Sequence, residues 1–242
     1  MKKHVVTTVL AFCLVAFSAP SAFAQSHSSS YTDEILQMQP DLKKEDLLSS
    51  VRSIAKNTGD TEEAVLKQIV KELKQDQMKA SKEAEKVGTM GGKGGTVPVG
   101  NSSKGDFFYT ASQTAYLNHG HVGMYYTSST IVESVPDTGV RTISTTLRKV
   151  DQGDAQVKSV TTSSANRENA ANWAYSRVGI DDYSYNFVTN RKTSHIGDKN
   201  CSKLIWSAYV LHGNLDLDVD GGLGVYPRDV RDAPDTRLIR NI

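Results

Sequence analysis

The chain has 242 residues, 28 Lys and Arg against 27 Asp and Glu, and 38% apolar residues. That length allows one ordinary domain plus something small, and the near-neutral balance excludes the concentrated basic face of a nucleic-acid binder. Beyond the N-terminal leader no stretch is apolar enough to span a bilayer, so no stable membrane span is expected.

The leader comes first. Lys2 and Lys3 form a positive n-region, 5–17 is almost unbroken apolar sequence, and Ala22-Phe23-Ala24 supplies a small-x-small cleavage site. Residues 1–24 therefore read as a signal peptide cut after Ala24, and the product is expected to be secreted, extracellular or wall-associated. Cys13 leaves with it, and the bulky Phe12 before it speaks against a lipid-modified cysteine. Loss of Lys2 and Lys3 leaves 26 basic residues against 27 acidic ones and a single cysteine, Cys201. A lone thiol in an oxidising compartment cannot be half of an internal disulfide, so it is either a liability or a nucleophile.

Residues 25–87 read as a small helical region, with helix from Tyr31 onward. Leu47, Leu48, Val51, Ile54 and Ala55 mark one amphipathic helix stopped near Gly59. Asp60 and Glu63 are placed as a capping box for a second, carrying Val65, Leu66, Ile69, Val70 and Leu73. Beyond Leu73 the apolar pattern fades into Lys, Gln, Asp and Glu, so this helix is expected to emerge into solvent as part of a spacer or interaction module. Residues 88–104, GTMGGKGGTVPVGNSSK, read as a glycine-rich linker.

The period then changes. The stretches 106–110, 121–126, 130–135 and 140–150 are rich in Val, Ile, Thr, Tyr and Phe and are separated by turn residues, as strands are. Ser163 and Ser164 are placed to cap a helix carrying Ala170, Trp173, Ala174 and Val178, with Gly179 at its end. A loop through Tyr183-Ser184-Tyr185 leads to Asn200-Cys201 and an apolar helical run ended by Gly213. Residues 105–242 thus form an α+β domain, an antiparallel sheet with packed helices.

Cys201 directly precedes a helix, where unpaired N–H groups and the macrodipole favour a thiolate. The alternative is a buried structural cysteine, since free Cys is among the most often buried residues. A nucleophilic thiol needs an imidazole oriented by a third group. His212 lies three turns along the helix and reads as a C-terminal cap, and His195 reads as a loop histidine. His119 and His121 have H-x-H spacing, but no partner in the nearby sequence completes a metal set. If the hairpin is centred on Ser128, Gly123 faces Glu133, and His121 and Glu133 point to one side, diagonally across the pair. A one-residue slip would separate them. Asp216-x-Asp218-x-Asp220-Gly221 begins like a calcium loop, but Pro227 stands at its twelfth position, so a structural turn is expected.

Gly105-Asp106-Phe107-Phe108, His121-Val122-Gly123-Met124-Tyr125, Ile131-Val132-Glu133-Ser134, Asn200 to Tyr209, Asp216-Leu217-Asp218 and Val225 to Asp229 together resemble, in order, the blocks of the circularly permuted NlpC/P60 superfamily, most closely its YiiX/YycO-like branch. The helical region and the linker have no counterpart in that pattern. The resemblance implies a permuted papain-like fold and a cysteine hydrolase with Cys201 as nucleophile, His121 as base and Glu133 as orienting group. Tyr183 or Tyr185 would stand near the oxyanion and substrate site. No cofactor or metal is implied. For an exported member the expected substrate is an amide in a cell-wall (peptidoglycan) peptide. Lipid or ester acyl hydrolysis or acyl transfer is the rival chemistry, and a non-catalytic wall- or protein-binding module is the rival class.

Overall fold

The computed structural model describes residues 22–89, 95–111 and 119–242, with side chains from 28 to 85 in the first span. Residues 1–21 of the expected leader and 90–94 of the expected linker lie outside the described residues. Among the described residues no helix is long and apolar enough to cross a membrane.

Three helices come first: α1 (Ala22–Met38), α2 (Lys44–Thr58) and α3 (Glu62–Thr89). The periodic apolar residues make their common core, with Ile35, Leu47, Val51, Ile69 and Leu73 fully buried. Gly59 ends α2 in the left-handed conformation, its N–H donating to the Ala55 carbonyl. The start of α3 is capped one residue later than the Asp60 pattern predicts: the Thr61 hydroxyl accepts from the Ala64 N–H. The polar continuation beyond Leu73 exposes one face to solvent, as expected, but docks the other. Glu72, Asp76, Lys79 and Glu83, spaced as one helix face, all bond to residues of the C-terminal half. The helical region is therefore docked, not a detached spacer. Its polar pattern is the contact itself, made of ion pairs instead of apolar side chains.

The C-terminal half is α+β, as expected. Strands β2 (Phe107–Thr110), β3 (His121–Tyr125), β4 (Thr130–Val135), β5 (Gly139–Ser144), β7 (Ala155–Val160) and β8 (Thr236–Asn241) form one antiparallel sheet in the order β5-β4-β3-β2-β7-β8. The predicted strand 140–150 is two elements, β5 and β6 (Lys149–Asp151), broken at a turn where Leu147 N–H and Arg148 N–H both bond to the Ser144 carbonyl. β6 pairs with β1 (Thr96–Pro98), so part of the stretch expected as linker is a strand. Buried Val99 follows it.

Helices α4 (Ser164–Tyr175), α5 (Cys201–Gly213) and α6 (Pro227–Asp232) complete the domain. Ser163 caps α4 by accepting from the Asn166 N–H, but the helix ends at Tyr175, and the turn residues after it reach Gly179. Alternation along β2 divides the core. Phe107 and Tyr109 join the large cluster shared with the helices, while Phe108 packs with Val99, Tyr125, Ile131, Val150, Ala155 and Val157.

Candidate active site

The hairpin register decides the first contact. Met124 pairs with Val132 and Tyr125 with Ile131, and continuing that register sets Gly123 opposite Glu133. His121 and Glu133 are then diagonal neighbours, as the turn at Ser128 predicts. A Cβ at Gly123 would stand 2.5 Å from the Phe108 ring and 2.9 Å from Ile131. The position opposite Glu133 carries no side chain, and the carboxylate leans across it to His121. His121 Nε2 and Glu133 Oε2 are 2.8 Å apart, with the two side chains 1% and 0% exposed.

Sequence reasoning missed what holds Glu133. The Arg141 guanidinium donates to Oε1 through Nε at 3.1 Å and a terminal nitrogen at 2.8 Å. Arg148 Nε donates to Oε2 at 2.8 Å and its guanidinium lies over the Phe108 ring. Arg141 faces Glu133 directly across β4–β5, a pairing readable from hairpin spacing, whereas Arg148 arrives from beyond β5. Burial disfavours the Glu133 carboxylate, but His121 and the two arginines outweigh it and hold its pKa down at about 2. It is an anion throughout the physiological range.

Cys201 is the first residue of α5 and 2% exposed. Its thiol lies close enough to the His121 imidazole to interact with it electrostatically, while Glu133 engages the imidazole through Nε2. Burial works against an imidazolium at His121, but Cys201 and then Glu133 more than offset it and the pKa is raised. A thiol, an imidazole and a carboxylate are thus brought together.

The helix start is fixed by a polar floor. Asn200 is the N-cap and accepts from the Lys203 N–H at 3.0 Å. Asn190, which the sequence did not single out, donates to Asn200 Oδ1 at 3.1 Å and to the Val225 carbonyl at 2.9 Å, and accepts from the Val225 N–H. Ser134 of β4 donates to the Lys199 carbonyl at 2.5 Å, tying the strand that carries Glu133 to the residues before Cys201. The first N–H groups of a helix have no intrahelical acceptor, so the Cys201 end of α5 presents donors beside the thiol.

Tyr183 is mostly buried, and burial followed by the nearby Cys201 pushes its hydroxyl pKa up. Tyr185 packs edge-on against it, ring centroids 4.9 Å apart. Both stand on the Cys201 side of the molecule. His195 is committed elsewhere, 2.9 Å from the Ser207 hydroxyl and stacked on Trp206. His212 lies in the last turn of α5 beside Trp173. His119 does not share a site with His121: its Nδ1 meets Asp76 of α3 and its Nε2 meets Gln39. The pairing with Asp76 has no local sequence signal, because 43 residues separate the partners.

The calcium-like segment is held by ion pairs. Asp216 takes both terminal nitrogens of Arg191 and the Trp206 indole N–H, and Asp218 takes Arg191 as well. Among the described residues, Asp218 and Asp220 come together with Asp229, oxygens within 4.8 Å of one another. Lys79 reaches in to Asp229 at 3.0 Å.

No family model and no solved structure matches the chain. It is similar to the uncharacterized protein YycO of Bacillus subtilis (strain 168), 43% identical over 235 residues, covering 96% of this chain and 94% of that one. The chain belongs to the YycO family. The match takes in the sequence of the helical region as well as that of the sheet domain of this YycO-family chain.

Proposed function

We propose that this YycO-family chain is a secreted cysteine hydrolase of the circularly permuted NlpC/P60 kind, cleaving an amide bond in cell-wall peptides. One observation carries the reading: the thiol at a helix N-terminus lies within interaction range of an imidazole whose Nε2 is held by a buried carboxylate. The α+β fold with its antiparallel sheet, and the order His121 before Cys201, support the permuted papain-like assignment. Secretion rests on the leader sequence and the choice of wall peptides on the resemblance.

In this reading the Cys201 thiolate attacks the amide carbonyl and the C–N bond breaks from the tetrahedral intermediate. The His121 imidazolium gives its proton to the leaving amine. Water then attacks the thioester with His121 as base, releasing the acid and regenerating the thiol. N–H groups at the start of α5 stabilise the oxyanion. Glu133 fixes the imidazole tautomer and orientation, and its two arginines keep it from taking the proton itself. Tyr183 and Tyr185 line the substrate side.

The test is the rate of Cys201 alkylation by iodoacetamide, a reagent small enough for a thiol only 2% exposed, measured from pH 5 to 9. In the parent, a substantial rate persists at pH 6; in His121→Ala it falls at least tenfold, as expected when a paired base is removed. Hydrolysis of wall peptides should then vanish in Cys201→Ala. A thiol indifferent to His121 would instead make the domain a binding module. A reactive thiol that cleaves acyl esters but not wall peptides would move the chemistry to the lipid-type branch.

A further inference from the structure

The helical region reaches the strand that carries His121 through a second buried histidine. His119 is 3% exposed. Its Nδ1 is paired with Asp76 of α3, and its Nε2 lies 2.8 Å from the Gln39 amide nitrogen, just after α1. The rings of Tyr226 and Phe187 flank it at 4.8 and 5.0 Å. The Gln39 amide also donates to the Met38 carbonyl, so Nε2 is its second acceptor and Nδ1–H faces Asp76. Both ring nitrogens of His119 are thus fixed by side chains of the helical region.

Asp76 is itself held from the other side. The Arg228 guanidinium donates to its two oxygens at 3.1 and 3.2 Å, and to Glu83, about two turns further along the same face of α3, at 2.8 Å. Burial disfavours the Asp76 carboxylate, but His119 and Arg228 overcome that and lower its pKa. A buried charge is tolerated only with such partners, and loss of a single partner is costly.

The link from His119 to His121 has no slack. His121 is the first residue of β3 and pairs with Thr110, the last residue of β2. A strand end of this kind is held less firmly than the middle of a ladder. Between the histidines Gly120 has φ +76°, and a Cβ there would lie 2.8 Å from the Thr110 carbonyl oxygen and 2.9 Å from the Tyr109 ring. The backbone is pressed against β2, so a displacement at His119 passes on to His121 instead of being absorbed in a loose turn.

We propose that Asp76, acting through His119, is a positioning residue for His121, and that the docked helical region is a working part of the hydrolytic apparatus. The proposal rests on the Cys201–His121 reading above. It gives the Glu72-Asp76-Lys79-Glu83 face of α3 two functions. Glu72, which accepts the Leu223 and Gly224 N–H groups, only docks the helix. Asp76 also sets the imidazole. A displacement of about 1 Å in a catalytic group costs as much as 10²-fold, so a partial loss of the His119 anchor should be visible.

The experiment compares the full-length parent with Asp76→Asn, Glu72→Gln and His121→Ala, each below its own unfolding temperature. The readout is the ratio of iodoacetamide alkylation rates of Cys201 at pH 6 and pH 9. A structural defect alone does not change this ratio, whereas weaker thiol–imidazole pairing does. Asp76→Asn is expected to lower the ratio about tenfold with the pH 9 rate little changed. Glu72→Gln is expected to lower the melting temperature and leave the ratio alone. If Asp76→Asn proves unfolded, Gln39→Leu carries the same test with a smaller fall of the ratio. An unchanged ratio in the folded Asp76 or Gln39 variant, with His121→Ala collapsing it, would overturn the positioning role and leave the site intact. An unchanged ratio in His121→Ala overturns both readings.

Discussion

Two buried clusters built from the same parts stand two residues apart along the chain. In one, His121 meets Glu133, backed by Arg141 and Arg148. In the other, His119 meets Asp76, backed by Arg228. The first is assembled within one hairpin, its next strand and the turn after it, its histidine and carboxylate 12 residues apart. The second joins two regions, its carboxylate 43 and 152 residues from its partners. The first engages its imidazole through Nε2 with Cys201 nearby, and the second uses both ring nitrogens. The same kinds of group, imidazole, carboxylate and guanidinium, are thus arranged in two ways: in the proposed reading the imidazole that faces Cys201 is the base, and the one with both nitrogens engaged is an anchor.

The sharpest way to break that comparison is at the arginines. Arg228 is 1% exposed and bridges Asp76 and Glu83. Arg228→Ala leaves the buried Asp76 without its cation, and a loss of about 3–5 kcal/mol is expected in urea unfolding. A loss below 1 kcal/mol would mean that the two regions are not energetically joined there.

Glu133→Gln separates the clusters by pH. The folded Glu133 titrates at about 2 against an ordinary 4.5. A carboxyl with a depressed folded pKa stabilises above its unfolded value, and that stabilisation is lost as pH falls towards the folded value. The window is therefore between about pH 4.5 and 2. Parent stability should fall across it, and Glu133→Gln should remove part of that slope while retaining the share due to Asp76, whose pKa is also lowered. An acid limb identical in the variant would show that Glu133 is not the strongly held anion described.

The contrast also explains what could be read in the sequence. The α+β class, the hairpin register and the helix opening at Cys201 were legible because each is encoded locally. Runs rich in β-branched and aromatic residues between turn residues identify strands, a turn at Ser128 sets the register, and Asn200 before an apolar run marks a helix start. That register alone brought His121 to Glu133. Strands β7 and β8 were missed, and β8 alternates weakly, with Leu238 and Ile239 both exposed. The docked face of the polar tail of α3 was not legible, because a buried charge and an exposed one have the same letter and differ only in distant partners. Glu72 and Asp76 are such cases, and so is the buried polar Asn190 beneath the cap of α5. Part of the glycine-rich stretch also proved ordered: Thr96–Pro98 found a partner strand in β6, which composition cannot reveal.

The smallest expected effect tests whether the Glu133 cluster needs both of its arginines. Arg141 binds Glu133 with two nitrogens, yet its side chain is 37% exposed, against 19% for Arg148. Water reaches Arg141 and screens its charge, and exposed pairs contribute about 0.2–1 kcal/mol. Arg148 shares Oε2 with His121 and is shielded over Phe108. Arg141→Ala should therefore cost less than about 1 kcal/mol and leave the pH 6 to pH 9 alkylation ratio unchanged. Arg148→Ala should disturb the ratio, because it frees the oxygen that orients the imidazole. The reverse ranking would place the orienting force on Oε1 and on the solvent side of the hairpin, and Glu133 would then hold His121 by its charge more than by its geometry.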